Sequence, residues 1–173
     1  MNEVLHIMMK DSDNRLAESL FWQLSTFGGG QFGDIKSVVS NIESVFQRAG
    51  IPKDSGYRIA DGSGLSLYNY ISPQILNALL VYAWWQQDIR AHLVPSLPIG
   101  GVDGTLKKRF HGTSAYNNIF AKTGTVSGIS SLSGYANGGN GHVISFCIIN
   151  QGVQRGSIGR NFQDQVCIAL TEK

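Results

Sequence analysis

The run Asn118-Ile119-Phe120-Ala121-Lys122-Thr123-Gly124-Thr125-Val126-Ser127-Gly128-Ile129-Ser130-Ser131-Leu132-Ser133-Gly134-Tyr135-Ala136, followed by Asn137-Gly138-Gly139-Asn140-Gly141 and His142-Val143-Ile144-Ser145-Phe146-Cys147-Ile148-Ile149, decides the fold. Residues 118–125, 130–136 and 142–149 are strand-like and rich in β-branched and aromatic side chains. Val126-Ser127-Gly128 and Asn137 to Gly141 separate them, and short glycine-bearing separators join antiparallel neighbours. The pattern therefore predicts a three-strand antiparallel meander.

Outward from the meander the period changes. Downstream, residues 157–170 carry helical spacing through Ile158, Phe162, Val166 and Leu170. Upstream, residues 96–104 form a connector rich in proline and glycine. Before it, Ser72 as cap and Pro73 at the first helical position announce a helix through Leu76, Leu79, Leu80 and Ala83 toward Trp84-Trp85. Tyr57 to Ala60 reads as a short strand leading into the turn Asp61-Gly62-Ser63-Gly64. Asp34 to Ala49 places Ile35, Val38, Ile42, Val45, Phe46 and Ala49 on one helical face, ended by Gly50 and Pro52. A first helix is expected from about Asn14, capped by Ser12 or Asp13, with core positions Leu16, Leu20, Leu24 and Phe27 and with Ala17 and Phe21 widening the stripe. Gly28-Gly29-Gly30 stops it. Helices followed by an antiparallel meander define an α+β class, with residues 1–173 as a single domain.

The composition excludes several functions. At 173 residues and 42% apolar, the chain can build one core. A net charge of +2 leaves no footprint for nucleic acid, and Lys107-Lys108-Arg109, the densest basic cluster, reads as a solvated face. No apolar run reaches the roughly 18–20 residues of a membrane span; Ile75 to Trp85 is broken by Asn77 and reads as a core helix. The start Met1-Asn2-Glu3, with only Val4 to Met9 apolar, is no signal peptide, so an exported form would need its signal upstream. His6, His92, His111 and His142 are scattered, and no metal site is expected. Cys147 and Cys167 have two readings, a disulfide between the last strand and the last helix or two buried free thiols. Gly28 to Gly33 fits a dinucleotide-type glycine pattern but follows a helix rather than a strand, so no phosphate cradle is expected there.

Two triplets can carry chemistry. Lys122-Thr123-Gly124 lies within the first strand, and Ser12-Asp13-Asn14 heads the first helix. Taken singly each has a plain structural reading, a lysine on an edge strand for the first and an ordinary helix cap for the second. Together, and in this order, they resemble two of the three signature elements of penicillin-recognising serine enzymes. The third, a serine with a lysine three residues on, is absent: no serine of this chain has a lysine at that position. Further segments extend the resemblance along nearly the whole chain. Met8-Met9-Lys10, Asp61-Gly62-Ser63-Gly64-Leu65-Ser66, Asn69-Tyr70-Ile71-Ser72-Pro73, Leu97 to Gly101 and Asp103-Gly104-Thr105-Leu106 are similar to bacterial serine D-Ala-D-Ala carboxypeptidases of the class C low-molecular-mass group. The Asp61 to Ser66 segment itself reads as a turn in which Asp61 and Ser63 bond local backbone.

The resemblance implies a partial penicillin-binding, β-lactamase-like transpeptidase fold and a catalytic set of Ser12, Asn14 and Lys122. In that reading Ser12 passes a proton to the leaving group, Asn14 holds the substrate backbone, and the Lys122 ammonium attracts a carboxylate. Substrate-binding positions are Thr123, whose hydroxyl donates to the carboxylate, Gly124, whose lack of a side chain admits an extended peptide, and Thr125, whose amide serves an oxyanion hole. The implied partners are stem peptides ending in D-Ala-D-Ala, β-lactams, and an N-terminal half or second copy completing the site; the implied place is the periplasm or cell envelope. The implied chemistry needs no metal or organic cofactor. Because the nucleophile is absent, the expectation is a C-terminal portion of a carboxypeptidase that is inactive alone. The alternative is a non-catalytic module binding peptidoglycan peptides or β-lactams.

Overall fold

A computed structural model describes residues 2–172. It contains helices α1 (Asn2–Lys10), α2 (Asn14–Gln23), α3 (Ile35–Arg48), α4 (Pro73–Trp85), α5 (Gln87–Ser96) and α6 (Gly156–Thr171), with strands β1 (Ile119–Val126), β2 (Ile129–Asn137) and β3 (Val143–Gln151). Short 3-10 turns occupy Leu24–Gly29 and Gly104–Leu106.

Each helix start follows from a local donor–acceptor match. Asp13 Oδ1 accepts from the amides of Arg15 and Leu16 at 2.8 and 2.9 Å, so Asp13 rather than Ser12 caps α2. Asp34 does the same for α3, and Ser72 with Pro73 opens α4 as expected. The three strands form one antiparallel sheet in the order β1-β2-β3. Lys122 pairs with Ser133, which pairs with Cys147, so these three side chains share one face.

The other face holds the main core. Ile119, Ala121, Leu132, Ala136 and Phe146 pack with Leu106, Phe110 and Ala115 against Cys167 of α6. Burying a side chain such as Leu132 or Ile119 completely stabilises the fold by roughly 1.5–3 kcal/mol. Gly159 of α6 meets Ser130 so closely that an added Cβ would lie 2.9 Å from its Cβ. On the Lys122 face, α4 covers the sheet: Trp84 packs on Tyr135, whose hydroxyl donates to Leu80 O at 2.7 Å. A second cluster, Phe46, Ile51 and Ile75, joins α3 to α4.

Some expectations fail for physical reasons. The helix expected from Asn14, α2, ends at Gln23, and the chain turns through a 3-10 segment in which Phe27 is extended and 66% exposed, so Phe27 is not a core residue. Tyr57 to Ala60 forms no strand, only a single bridge between Arg58 and Tyr70. On α6 the buried face is Gly159, Gln163, Cys167 and Thr171, one position on from the predicted stripe, while Ile158 and Phe162 are exposed. A polar glutamine faces inward because Ser130 Oγ and Asn150 Oδ1 accept from its amide at 3.1 Å each, and its own carbonyl accepts from Arg109. Helices α1 and α5 fall where no helix was expected, and Trp85 is exposed.

The cysteines are free thiols. Cys147 points to the Lys122 face while Cys167 packs on the opposite face, so the sheet itself separates them. Burial pushes the Cys147 thiol up to about 11 and the Cys167 thiol up to about 12.

Candidate active site

The two triplets, far apart in sequence, meet in space. Helix α1 ends in a turn where Asp13 N donates to Met8 O at 3.1 Å and Asp11 N to Ile7 O at 3.0 Å. That bond pattern puts Ser12 at the position after the cap, where glycine is the usual residue because the backbone is left-handed. Ser12 indeed has φ +57°. A non-glycine residue held there stores strain, and strain of this kind gathers at functional positions. Both Ser12→Gly and Ser12→Ala remove the hydroxyl, so their difference isolates the backbone. The expected outcome is a glycine variant more stable than the alanine variant by about 1 kcal/mol, read as urea midpoints; equal midpoints would remove the strain argument.

The ammonium of Lys122 donates to Ser12 Oγ at 2.7 Å and to Thr123 O at 2.7 Å, joining residues 110 apart in sequence. Its side chain is half-buried, and desolvation lowers its pKa below the ordinary lysine value. Thr123 Oγ1 donates to Thr105 Oγ1 at 2.9 Å, tying the strand to the Gly104–Leu106 turn. Asn14 stands exposed in the first turn of α2, and among the described residues no hydrogen bond links its side chain to Ser12 or Lys122.

The edge of β1 is half covered. Gly100 N donates to Ile119 O and Ala121 N donates to Pro98 O, so the connector pairs with β1 as far as Ala121. Backbone groups alternate along a strand, so those of Thr123 and Thr125 point to the same outer edge. Among the described residues no backbone group pairs with either amide there. At Gly124 an added Cβ would lie 2.4 Å from Ser131 Oγ, on the Lys122 face. The result is a short open strand edge beside a half-buried ammonium, a hydroxyl pair and a hydrogen-bonded serine. A cavity of about 400 Å³, lined by Ile144, Leu170 and Glu172, lies on the α6 face and not beside Lys122.

The Asp61 to Ser66 turn lies against α2. An added Cβ at Gly62 would lie 2.4 Å from Phe21 Cβ, and Ser63 N donates to Glu18 Oε1 at 3.1 Å. Asp61 accepts from the amides of Gly64 and Ser66 at 2.6 Å each and from Asn69 Nδ2 at 2.8 Å, so its carboxylate is spent on the turn. Thr105 and the buried Lys10 are parts of the site region that no sequence motif singled out by role. In the sequence Lys10 is one lysine two residues before Ser12, and its burial follows only from its partner Asp103. Among the described residues there is no cluster of three or more metal-ligating side chains.

Known proteins similar to this chain match it along nearly its whole length. The family model described as D-Ala-D-Ala carboxypeptidase 3 (S13) matches residues 1–173. The D-alanyl-D-alanine carboxypeptidase of an Actinomadura strain is 34% identical over 180 residues, covering 99% of this chain and 32% of the relative. DacB of Haemophilus influenzae, also a D-alanyl-D-alanine carboxypeptidase, is 31% identical over 158 residues, covering 90% of this chain and 33% of its own. The crystal structure of penicillin binding protein 4 (dacB) of Haemophilus influenzae with a β-lactam superposes with a TM-score of 0.82 at 28% identity, covering 99% of this chain and 41% of that one. The TLA-3 extended-spectrum β-lactamase shares the fold, with a TM-score of 0.61 at 16% identity. This chain spans about a third of the length of these curated relatives. Ser12 and Lys122, 110 residues apart in sequence, are joined by one hydrogen bond in a chain that the family model matches over residues 1–173, and the chain belongs to the D-Ala-D-Ala carboxypeptidase 3 (S13) family.

Proposed function

We propose that this chain is the C-terminal portion of a serine D-Ala-D-Ala carboxypeptidase acting on peptidoglycan stem peptides in the periplasm or cell envelope. One observation carries the proposal: Lys122 Nζ lies 2.7 Å from Ser12 Oγ, so a proton can pass between the two triplets without rearrangement. The serine nucleophile, supplied from outside this sequence, attacks the carbonyl of the penultimate D-Ala. The C–N bond breaks, the terminal D-Ala departs with a proton relayed through Ser12, and water then hydrolyses the acyl ester. Lys122, with its pKa lowered by burial, holds the substrate carboxylate and supports the relay. Thr123 donates to the same carboxylate, and Asn14 holds the substrate backbone. The open edge at Thr123 and Thr125 pairs with the peptide, and the Thr125 amide donates to the oxyanion. A β-lactam occupies the same place and acylates the same serine.

The partner is the upstream part of the same protein. Among the described residues, β3 pairs only with β2, leaving one edge of the sheet open. Exposed apolar side chains Val81, Trp85 and Val143 lie together on the α4 side of β3, and Ile158 and Phe162 of α6 are exposed as well. An edge of this kind takes up another strand, and relatives about three times longer have chain to supply it. A second copy of this chain is the other occupant to be tested. The absent Ser-x-x-Lys element favours one rival reading, a module that binds β-lactams or stem peptides without turnover. Intact mass after incubation with penicillin, with and without an upstream polypeptide carrying that element, decides between them. Adduct formation only with both parts supports the split site, saturable binding without any adduct supports the module, and a self-associating chain that ignores the upstream part replaces the partner.

A further inference from the structure

We infer that Lys10 and Asp103 are a positioning pair that sets Ser12 against Lys122. The inference rests on the reading of Ser12 and Lys122 as the relay. Lys10, the last residue of α1, is only 5% exposed. Its ammonium donates to Asp103 Oδ2 at 2.6 Å and to Leu97 O at 2.6 Å. The second oxygen of Asp103 accepts from Ile99 N at 2.8 Å, so one carboxylate holds both the lysine and the connector.

The contact is backbone-close. Gly104 has φ +53°, and an added Cβ would lie 2.7 Å from Lys10 O and 3.2 Å from Lys10 Cα. The end of α1 therefore rests directly on the Gly104–Leu106 turn. The same connector bonds to β1 through Pro98 O and Gly100 N, and Thr105 reaches Thr123. Ser12 lies two residues beyond Lys10, and Lys122 lies one residue beyond Ala121, where the connector's pairing stops. The path from serine to lysine thus runs through the Lys10–Asp103 pair, with covalent or hydrogen-bonded steps throughout.

Two further features argue for register rather than stability. Desolvating an ammonium offsets much of what its pairing gains, so an ion pair is a poor choice for holding a helix down. The pair's directional bonds do fix one rotation of the α1 end, which an apolar contact would not. Ser12 also needs that rotation, because its left-handed backbone would otherwise relax. Lys10 and Asp103 touch no reacting group and are positioning residues.

The test uses the full chain and needs no ligand. Nuclear Overhauser contacts between the Lys122 ε-methylene and the Ser12 β-methylene report the register in solution. Replacing the pair by apolar residues, Lys10→Met with Asp103→Leu, is expected to leave the chain folded and to abolish this cross-peak. The cross-peak persisting in a folded double variant overturns the inference, because the pair would then serve packing alone. If the double variant does not fold, Lys10→Met alone, which leaves only the 38% exposed Asp103 side chain unpaired, is read in the same way. Thr105→Val cuts the other link from the connector and is expected to keep the cross-peak; its loss there would place the positioning in Thr105 and overturn the assignment to the pair. The readout is independent of β-lactam handling. Failure of acylation with the cross-peak behaving as expected would sink the proposed function and leave the positioning pair standing.

Discussion

Combined with an upstream polypeptide bearing the Ser-x-x-Lys element, the chain is expected to yield a stable penicillin adduct on that polypeptide's serine, whereas the isolated chain keeps its unmodified mass. The reason is chemical. Acylation needs an activated hydroxyl, and the one hydroxyl held by Lys122, that of Ser12, has no lysine three residues on and accepts a hydrogen bond from an ammonium rather than surrendering a proton to an amine. Lys122→Ala in the combined protein is expected to slow acylation about a hundredfold or more, since a positioned proton-transfer group contributes roughly 10²–10⁴-fold. Ser12→Ala should fall in the same range, because either change opens the same relay. An adduct on the isolated chain would overturn the incomplete-site reading, and unchanged rates in both variants would remove the relay.

The second large effect is on stability. Asp103→Asn is expected to destabilise the chain by about 2–3 kcal/mol, because it leaves the ammonium of Lys10 in a site only 7% exposed with no counter-charge. The loss falls at or below the low end of the roughly 3–5 kcal/mol usual for a fully buried pair, since the carboxylate side is 38% exposed and water can reach it. Lys10→Met with Asp103→Leu should recover most of that loss, as apolar replacement of a buried pair does elsewhere. Denaturant unfolding of the three proteins checks both statements. A single variant as stable as the parent would mean that Lys10 finds water or another acceptor when Asp103 is neutralised.

Much of the architecture was readable because it is written locally. The meander follows from alternation and two short glycine-bearing separators, and α4 from Ser72 and Pro73. What failed was written in tertiary contacts. The inward face of α6 is anchored by Gln163, and no hydrophobic count would choose a glutamine over Phe162 without Ser130 and Asn150 in view. Phe27 was placed in a stripe that the chain abandons three residues earlier. Helix α5 contains Pro95 and little apolar periodicity, so its pattern was silent. For the site, Ser12 and Lys122 were legible as motif members, while Lys10 and Thr105 were not: a lysine's partner 93 residues away is invisible to spacing.

The lengths of these loops also bear on the order in which the molecule assembles. The strands of the sheet are joined by separators of a few residues, so they can find one another quickly. The Ser12–Lys122 bond closes a loop of 110 residues and the Lys10–Asp103 bond one of 93. Long closures cost more chain entropy and come later. In pulse-labelling hydrogen exchange during refolding, amides of β1 to β3 are expected to gain protection before those at the end of α1, and simultaneous protection would refute the sequence of events. The molecule would thus pass through a state with its sheet built and its relay still apart, in which the residues of the site are all present and the site is not.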